Sequence, residues 1–242
     1  MVARASASNA DSLPASGGAL PESRQIILDT AARLFRKQGY ASVSLRHVAS
    51  ECGMKAASLY YHFKSKDEIV SEVLKIGVER TFEQVKASVA ALPDDASPQQ
   101  LLGTAVLAHL RAILERQDYA SANVRIFGQV PASIRAAHVG LREAYESYWD
   151  EILSRCVKQQ GGKRGTSEIR AARSFLLGAM NTTLDWFDPA RSPIERLASE
   201  LTGIFLGGVS ASWSNDLRAS ARKQASRSGK GRAQAARKSG RR

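Results

Sequence analysis

The chain lacks the residues and motifs on which secretion, membrane insertion and most catalysis depend. Its 242 residues include two cysteines, Cys52 and Cys156, which are too few for a disulfide framework and have no metal-binding spacing. No apolar run approaches the ~18 residues of a membrane-spanning helix, and residues 1–20 have no apolar core of a secretory signal. Phosphate-binding glycine loops, metal-ligand clusters and nucleophile motifs are missing as well. We therefore predict a cytoplasmic protein that is not an enzyme, crosses no membrane and needs no metal or cofactor.

Positive charge is unevenly distributed along the chain. The formal net charge of +12 comes from two basic segments. Residues 21–66 carry eight basic and three acidic side chains, and residues 217–242 carry ten basic and no acidic ones, whereas residues 67–216 are slightly acidic. Only basic segments gain much from contact with a polyanion. This distribution indicates nucleic acid as a partner.

The basic tail, residues 217–242, differs in composition from the basic segment near the start of the chain. Its residues are mostly small or charged and show no apolar periodicity, so the tail cannot bury enough surface to offset the entropy lost on ordering. We predict that the tail and residues 1–20 are disordered. The tail is either a solubilising extension or a phosphate-binding arm that ignores base sequence. The second alternative would make the chain a nucleoid-type, sequence-independent DNA-binding protein.

Apolar residues recur at helical spacing from residue 22 to about residue 216, and nowhere do they alternate as in a strand. Ile27, Ala31 and Leu34, for example, share one face of the first predicted helix. The pattern predicts an all-α fold of about nine helices. These span 22–38, a short stretch after Ser44, 56–62, about 64–92, 98–116, 119–128, 132–159, 167–187 and a last helix that begins at Pro193.

Residues 44–63 have the pattern of two short helices joined by a glycine turn. Ser44 offers its hydroxyl as the N-cap of the first helix, Gly53 ends it, and Leu59 anchors the second helix in the core. Within a three-helix unit this pair is a helix-turn-helix, whose second helix can enter the major groove of DNA. We therefore predict a DNA-binding domain over residues 21–66 and a second helical domain over 67–216. Exposed polar side chains and small residues would approach bases and phosphates: Arg46, Lys55, Ala56, Ser58, Tyr61 and His62.

Two stretches of this domain carry a family resemblance. Residues 44–49 read Ser-Leu-Arg-His-Val-Ala, and residues 58–68, after the Gly53-Met54 turn, read Ser-Leu-Tyr-Tyr-His-Phe-Lys-Ser-Lys-Asp-Glu. Both resemble the DNA-binding domain of TetR/AcrR-family transcriptional regulators. The sequence departs from the family at Lys55, where a capping Ser or Thr is usual. The resemblance implies that Ser44 caps its helix and touches phosphate, that Tyr60 meets the DNA backbone, and that Lys66 meets a phosphate at the start of the fourth helix. The expected DNA contacts are Ser44, Arg46, Lys55, Ala56, Ser58, Tyr60, Tyr61, His62, Lys64 and Lys66.

Residues 67–216 have room to pair subunits and to enclose a small molecule. One recognition helix reads few base pairs, whereas two copies about 34 Å apart can read a palindrome. TetR-like proteins pair through a four-helix bundle formed by their last two helices, which implies a homodimer here. The alternative is that the same apolar stripe packs only within its own subunit. The expected interface residues are Leu201, Gly203, Ile204, Phe205, Gly207, Val209 and Trp213.

A ligand pocket requires mainly apolar walls and a few convergent polar groups. Residues 181–189 and 192–195 are similar to a branch of the family that includes regulators of sterol and fatty-acid breakdown, which sense acyl-coenzyme A thioesters. Polar and aromatic residues of the predicted internal helices are the candidate ligand contacts, and a core or surface role is the alternative for each: His109, Asn123, Arg125, Tyr145, Trp149 and Asn181.

The resemblance implies a repressor that binds a palindromic operator in double-stranded DNA, within the nucleoid, and is released by a small-molecule effector. Ligand binding would favour a dimer whose recognition helices sit at the wrong separation for adjacent major grooves. The helix that begins at Lys66 is the expected mechanical link between the two domains.

Overall fold

The computed structural model describes residues 22–115, 118–160 and 164–210, which form ten α-helices and no strand. Some sequence predictions lie outside these ranges, namely those for residues 1–20, Trp213 and the basic tail. The helices are α1 (Glu22–Gln38), α2 (Leu45–Glu51), α3 (Ala56–His62), α4 (Lys66–Ala90), α5 (Pro98–Leu114), α6 (Asp118–Ile126), α7 (Ala132–Ala137), α8 (Val139–Gln159), α9 (Thr166–Trp186) and α10 (Ile194–Ser210).

The all-α prediction is confirmed, but the single helix expected over 132–159 is two helices. They separate at His138, whose torsions (φ −104°, ψ 1°) are not helical. The His138 ring is buried against α4, and its Nε2 lies 3.0 Å from the hydroxyl oxygen of Ser71. Because only one residue separates the two helices, apolar residues recur at almost the same helical spacing across the break. The sequence pattern therefore does not reveal it.

Two glycines fix the turns of the first three helices. Gly39 after α1 has φ 78°, and Gly53 between α2 and α3 has φ 67°. Side chains with a Cβ atom rarely adopt this left-handed conformation, so glycine sets the turn at both positions. The Gly53 turn gives α2 and α3 the angle of a helix-turn-helix.

The first of two cores joins the helix-turn-helix to α4 and α6. Phe35, Leu59 and Phe63 are almost completely buried in it, with Val70 from the first turns of α4. Ile126 of α6, more than fifty residues further along the chain, is equally buried in the same core. The apolar core of the DNA-binding unit therefore extends past residue 66 and includes part of α6.

The second core lies among α4, α5, α8, α9 and α10, with α5 at its centre. Trp149 is its largest fully buried side chain, and Leu102, Leu110 and Met180 pack around it without exposure. Every described helix is too short or too polar to span a lipid bilayer.

Candidate DNA-binding surface and ligand cavity

The helix-turn-helix is held by caps that the sequence encodes. Ser44 accepts a hydrogen bond from the backbone N–H of His47 at 3.2 Å, which completes the start of α2. Lys55 occupies the N-cap position of α3 and makes no capping bond. The start of α3 therefore leaves backbone N–H groups without a side-chain acceptor, at the end of the helix that carries a partial positive charge.

Helix α3 buries one side and exposes the other. Leu59 and the following Phe63 are fully buried, whereas Tyr60 is 50% exposed and Tyr61 is 87% exposed. A tyrosine with almost its whole ring in solvent stabilises no core, so Tyr61 is available to a partner. Seven of the ten predicted DNA contacts are exposed: Ser44, Arg46, Lys55, Ser58, Tyr60, Tyr61 and Lys64. The other three are half-buried: Ala56, His62 and Lys66.

Lys66 is fixed by the fold itself. Its Nζ donates to the backbone carbonyl of Tyr40 at 2.5 Å and lies 3.8 Å from the centre of the Tyr40 ring. Burial lowers the pKa of Lys66, against the opposing influence of the Asp67 charge. The ammonium group is thus held at the first residue of α4, beside the loop between α1 and α2.

Arg24, which the sequence did not single out, positions the end of α3. It donates to the backbone carbonyl of His62 at 2.6 Å, stacks over the Phe63 ring and pairs with Glu72 of α4. Arg24 thereby connects α1, α3 and α4. Its place on the partly exposed side of α1 gave no signal of these contacts, because its partners lie 38 and 48 residues away in the sequence.

A cavity of about 190 Å³ lies between α4, α5, α6, α8 and α9. Four of the six predicted ligand residues line it, namely His109, Asn123, Tyr145 and Asn181. Its apolar walls include Val78, Ile113, Val124 and Leu177. The cavity thus combines apolar walls with several polar groups, as a small-molecule site requires.

Two predicted ligand residues have other positions. Trp149 is fully buried behind the cavity and packs edge-on against the rings of His109 and Tyr145. Arg125 is exposed and is not among the lining residues, because α6 turns Asn123 and Val124 towards the cavity and Arg125 towards solvent. The prediction for Arg125 as a ligand contact therefore disagrees with the structure.

His109 is the centre of a polar group in the cavity wall. Its Nδ1 lies 2.8 Å from the Tyr145 hydroxyl and its Nε2 lies 3.2 Å from Asn181 Oδ1. Because an amide oxygen only accepts, Nε2 donates to Asn181 and Nδ1 accepts the hydroxyl proton of Tyr145. Burial lowers the pKa of His109 to about 4, so the ring is neutral at neutral pH. Burial also raises the pKa of Tyr145.

Arg142 is a charged cavity residue that the sequence analysis missed. Its NH1 donates to Asn123 Oδ1 at 3.2 Å, and its guanidinium carbon lies 3.9 Å from the centre of the Phe127 ring. Arg142 precedes Tyr145 by three residues and Trp149 by seven on α8, so helical spacing places all three on one side. That spacing could have identified Arg142 as a neighbour of the predicted ligand contact Tyr145.

Helix α6 contacts both the cavity and the DNA-binding unit. On the cavity side, α6 and the residue that follows it contribute Asn123 and Phe127. On the other side, the Tyr119 hydroxyl donates to Asp29 of α1 at 2.6 Å, and Asp118 pairs with Arg36 of α1, also at 2.6 Å. The link between the two domains thus includes α6 in addition to α4, the helix expected from the sequence.

Helix α10 places the predicted interface residues on two different sides. Phe205 is 7% exposed and packs in the second core, and Leu201 is half-buried against the same core, since α10 lies along α5. Ile204 is 70% exposed, and Gly203 and Gly207 lie on the same open side. Phe205 was therefore wrongly placed against a partner. Trp213 and the side chain of Val209 lie outside the described part of the structure.

The described residues hold no cluster of three or more His, Cys, Asp or Glu side chains that could bind a metal ion. Cys52 and Cys156 are not paired with each other, and burial raises the pKa of the Cys156 thiol to about 11. A thiol with a raised pKa is a poor nucleophile at neutral pH.

Comparison with known proteins agrees with this architecture in both halves of the chain. Residues 27–73 match the family described as bacterial regulatory proteins, tetR family, and residues 95–209 match the tetracyclin repressor-like C-terminal domain. The HTH-type transcriptional repressor KstR2 of Rhodococcus jostii (strain RHA1) is 27% identical over 194 residues, which are 78% of this chain and 91% of the relative.

Solved structures share the fold. The TetR family transcriptional regulator PfmR from Thermus thermophilus superposes with a TM-score of 0.64 at 25% identity, over 77% of this chain and 97% of that one. AibR, in complex with isovaleryl coenzyme A and operator DNA, superposes with a TM-score of 0.66 at 24% identity, over 76% and 97% of the two chains. With a helix-turn-helix in one part of the chain, a cavity between helices in the other and family matches to both, this chain belongs to the TetR family of bacterial transcriptional regulators.

Proposed function

We propose that this protein is a repressor that binds a palindromic operator as a homodimer and leaves it when a small effector occupies the cavity. The observation that carries the proposal is the position of α6, which lines the cavity with one side and packs into the DNA-binding core with the other. An effector that displaces α6 changes the position of the helix-turn-helix. The relative KstR2 is named a repressor, which supports the sign of regulation.

The DNA-reading part of the proposal depends on the exposed side of α3. Ser58 and Tyr61 are exposed on the helix that a helix-turn-helix inserts into the major groove, which supports assigning the reading of base edges to them. We assign two lysines near the end of α3 to phosphate contacts: Lys64, which is exposed, and Lys66, whose ammonium group is held beside Tyr40. Sequence-specific and sequence-independent contacts are thus carried by different residues.

The dimer would form through the outer sides of α9 and α10. Phe175 and Trp186 of α9 are 70% and 60% exposed, and Ile204 of α10 is 70% exposed. A Cβ atom built on Gly178 or Gly203 has no described atom within 4 Å, apart from the helix's own backbone and the neighbouring residues. A partner helix can therefore approach closely there. Large apolar side chains that lie open beside small residues are characteristic of an interface between helices.

The coupling between effector and operator would be a shift in population. Polar contacts tie α6 and the turn after it to α1 and the loop that follows α1: the Tyr119–Asp29 and Asp118–Arg36 contacts and the hydrogen bond from Tyr40 N to Gln129. An effector that prefers the state with α6 displaced weakens operator binding by the difference in its affinity for the two states, typically about 1–3 kcal/mol. The effector class proposed from the family branch is an acyl-coenzyme A or another lipid-derived metabolite, and AibR was crystallised with such a thioester.

A selection of random DNA duplexes by the full-length protein tests the proposed function. We expect enrichment of an inverted repeat whose half-sites are centred about one helical turn, ~10 base pairs, or a multiple of it apart, because two recognition helices of a dimer meet one face of the duplex. Equal recovery of all sequences, with an affinity that depends only on salt, would instead indicate nucleoid-type binding.

Tyr61→Ala is expected to change which sequences the protein prefers. The Tyr61 ring is 87% exposed, so its removal leaves the core unchanged, and a base contact is worth about 1–3 kcal/mol of discrimination. Repeating the selection with the variant should show relaxed preference at one position of each half-site. An unchanged motif at unchanged affinity would remove Tyr61 from the reading surface.

Lys64→Gln is expected to weaken binding to all duplexes alike. Lys64 is exposed beside α3, and a phosphate contact carries no base information. In a salt titration of operator affinity, the slope should fall by about 1 for each phosphate that the variant no longer neutralises. Lys86→Gln is the matched control, because Lys86 is exposed twenty residues along α4 from Lys66, about 30 Å away. A changed site preference, or an equal effect of both substitutions, would contradict the assignment.

A further inference from the structure

Arg142 differs from Arg173, another arginine that packs between helices of the C-terminal domain. Arg173 is paired with both Glu146 and Asp150, at 2.9 and 2.7 Å. Within the described residues, no carboxylate oxygen lies within 4.0 Å of the Arg142 guanidinium, although it is half-buried in the cavity wall. Glu146, which also lines the cavity, is held by Arg173 instead. The cavity therefore contains a cation that is not paired directly with an anion.

The position of Arg142 is fixed, and most of its hydrogen-bonding capacity is unused. One N–H donates to Asn123 Oδ1, and the planar group stacks on the Phe127 ring. A guanidinium has five N–H donors, so up to four remain for a ligand. Burial lowers the pKa of Arg142, against the opposing influence of the Glu146 charge, which reflects the cost of removing this cation from water. A partly desolvated guanidinium with open donors is a site for a carboxylate, which it can bind with two parallel hydrogen bonds.

The other polar side chains of the cavity have hydrogen-bond partners within the protein. The His109 ring bonds Tyr145 and Asn181, the Thr81 hydroxyl donates to the carbonyl of Gly77 at 2.7 Å, and the Asn123 amide donates to the carbonyl of Leu74 at 2.8 Å. His109 is neutral and so does not compete with Arg142 for an anion. The remaining lining residues are apolar side chains and glycines, apart from Glu146, whose carboxylate is paired with Arg173. A ligand that fits this arrangement has one anionic end and an apolar body.

The cavity has room for the body of a small ligand. An apolar cavity of about 150 Å³ in another protein holds benzene, so about 190 Å³ accommodates one ring or a short branched chain together with a carboxylate.

We propose that the effector is a small apolar monocarboxylate whose carboxylate pairs with Arg142 while its ring or branched chain lies against the apolar wall of the cavity. This inference rests on the proposed function, because it takes the cavity as the effector site. It proposes a free acid as the effector in place of an acyl-coenzyme A thioester. A neutral thioester or amide carbonyl accepts hydrogen bonds from Arg142 but leaves its charge uncompensated, so it binds less well. Both anchors of Arg142 belong to α6 or to the residue directly after it, namely Asn123 and Phe127. A carboxylate on Arg142 therefore acts directly on the helix that contacts the DNA-binding unit.

Equilibrium dialysis of the full-length protein with radiolabelled benzoate and isovalerate tests the proposal. We expect saturable binding of the acids, and we expect benzamide and isovaleramide to compete at least about tenfold less well than the corresponding acids, since the charged hydrogen bonds are lost. Arg142→Gln should weaken acid binding by at least about tenfold, while Arg155→Gln, an exposed position on the same helix, leaves it unchanged. The acid–amide comparison uses the unaltered protein, so it tests the carboxylate proposal even if the Arg142 variant does not fold.

Three outcomes would overturn the inference. They are equal competition by acids and amides, binding of isovaleryl coenzyme A without binding of either acid, and acid binding that persists at full strength in a folded Arg142→Gln protein. If any of these is found while the protein still selects an inverted repeat, the inference fails and the proposed function stands. If the acids bind through Arg142 but the protein selects no DNA sequence, the carboxylate site stands and the proposed function fails.

Discussion

Replacing Gly77 by alanine is expected to destabilise the protein by about 1–3 kcal/mol, although alanine is the better helix former. A Cβ atom on Gly77 of α4 would lie 2.5 Å from the backbone carbonyl oxygen of Tyr119 and 3.1 Å from the Cβ of Asn123, both on α6. Because the nearest obstacle is backbone, the clash is relieved only if α4 and α6 separate. Urea unfolding of the variant should show a lower free energy of unfolding.

Gly103→Ala is the matched control for this substitution. Gly103 also lies in a helix that packs on another, but the nearest atom to its added Cβ is Cγ2 of Thr202 at 3.9 Å, an ordinary contact distance. We expect this variant to gain up to about 1 kcal/mol from helix propensity. Equal stability of the Gly77 and Gly103 variants would mean that α4 and α6 do not approach each other as described.

The Gly77 variant also tests how the two domains are connected. Gly77 lines the cavity, and the residue it touches, Tyr119, bonds Asp29 of the DNA-binding unit. Separation of α4 and α6 at this point therefore displaces the helix that the proposed effector would move. We expect weaker operator binding as well as lower stability, without any change at the DNA-reading surface.

The fold was predictable where local chemistry determines it. Ser44 and Gly53 were predicted to mark helix ends, and the structure shows Ser44 as an N-cap and Gly53 with a positive φ angle. Leu59 was predicted to anchor the second helix of the helix-turn-helix in the core, and it is fully buried. These signals depend on neighbours within four residues, which a sequence displays directly.

Contacts between distant segments were not predictable in the same way. The sequence does not show that Gly77 meets Tyr119, that Arg24 meets the end of α3, or that α6 completes the core of the DNA-binding unit. These contacts join residues that lie far apart along the chain. Periodicity indicates that a helix has an apolar side but does not identify its neighbour.

The cavity and α10 illustrate the same limit. His109, Tyr145 and Asn181 were identified as polar groups on internal helices, but Arg125 and Arg142 look alike in the sequence and only their rotation about α6 and α8 separates them. On α10, Ile204 and Phe205 are adjacent apolar residues, and packing on α5 buries Phe205 and leaves Ile204 open. When a helix has apolar residues on two sides, its sequence does not indicate which side faces the core of the subunit.

Ile204→Glu is expected to dissociate the proposed homodimer. Ile204 is 70% exposed in the subunit, so a glutamate there is solvated in the monomer and costs the fold little. In a two-fold interface the substitution buries two uncompensated carboxylates, one from each subunit, at several kcal/mol in total, so the dimer dissociation constant should rise by about a hundredfold or more. Sedimentation velocity at micromolar concentration measures the change, and Gly203→Leu, where the subunit leaves open space, should act in the same direction by steric exclusion.

Val139→Glu is the control that separates an interface effect from a general effect of charge. Val139 is an exposed apolar residue, 46% accessible, at the start of α8, where an acidic side chain is favourable to the helix. It should leave the sedimentation of the dimer unchanged. Since a single recognition helix contacts only one half-site, the Ile204 variant should also lose most of its operator affinity, whereas the Val139 variant keeps it. A dimer that survives both Ile204→Glu and Gly203→Leu would place the interface on another surface and separate operator binding from α10.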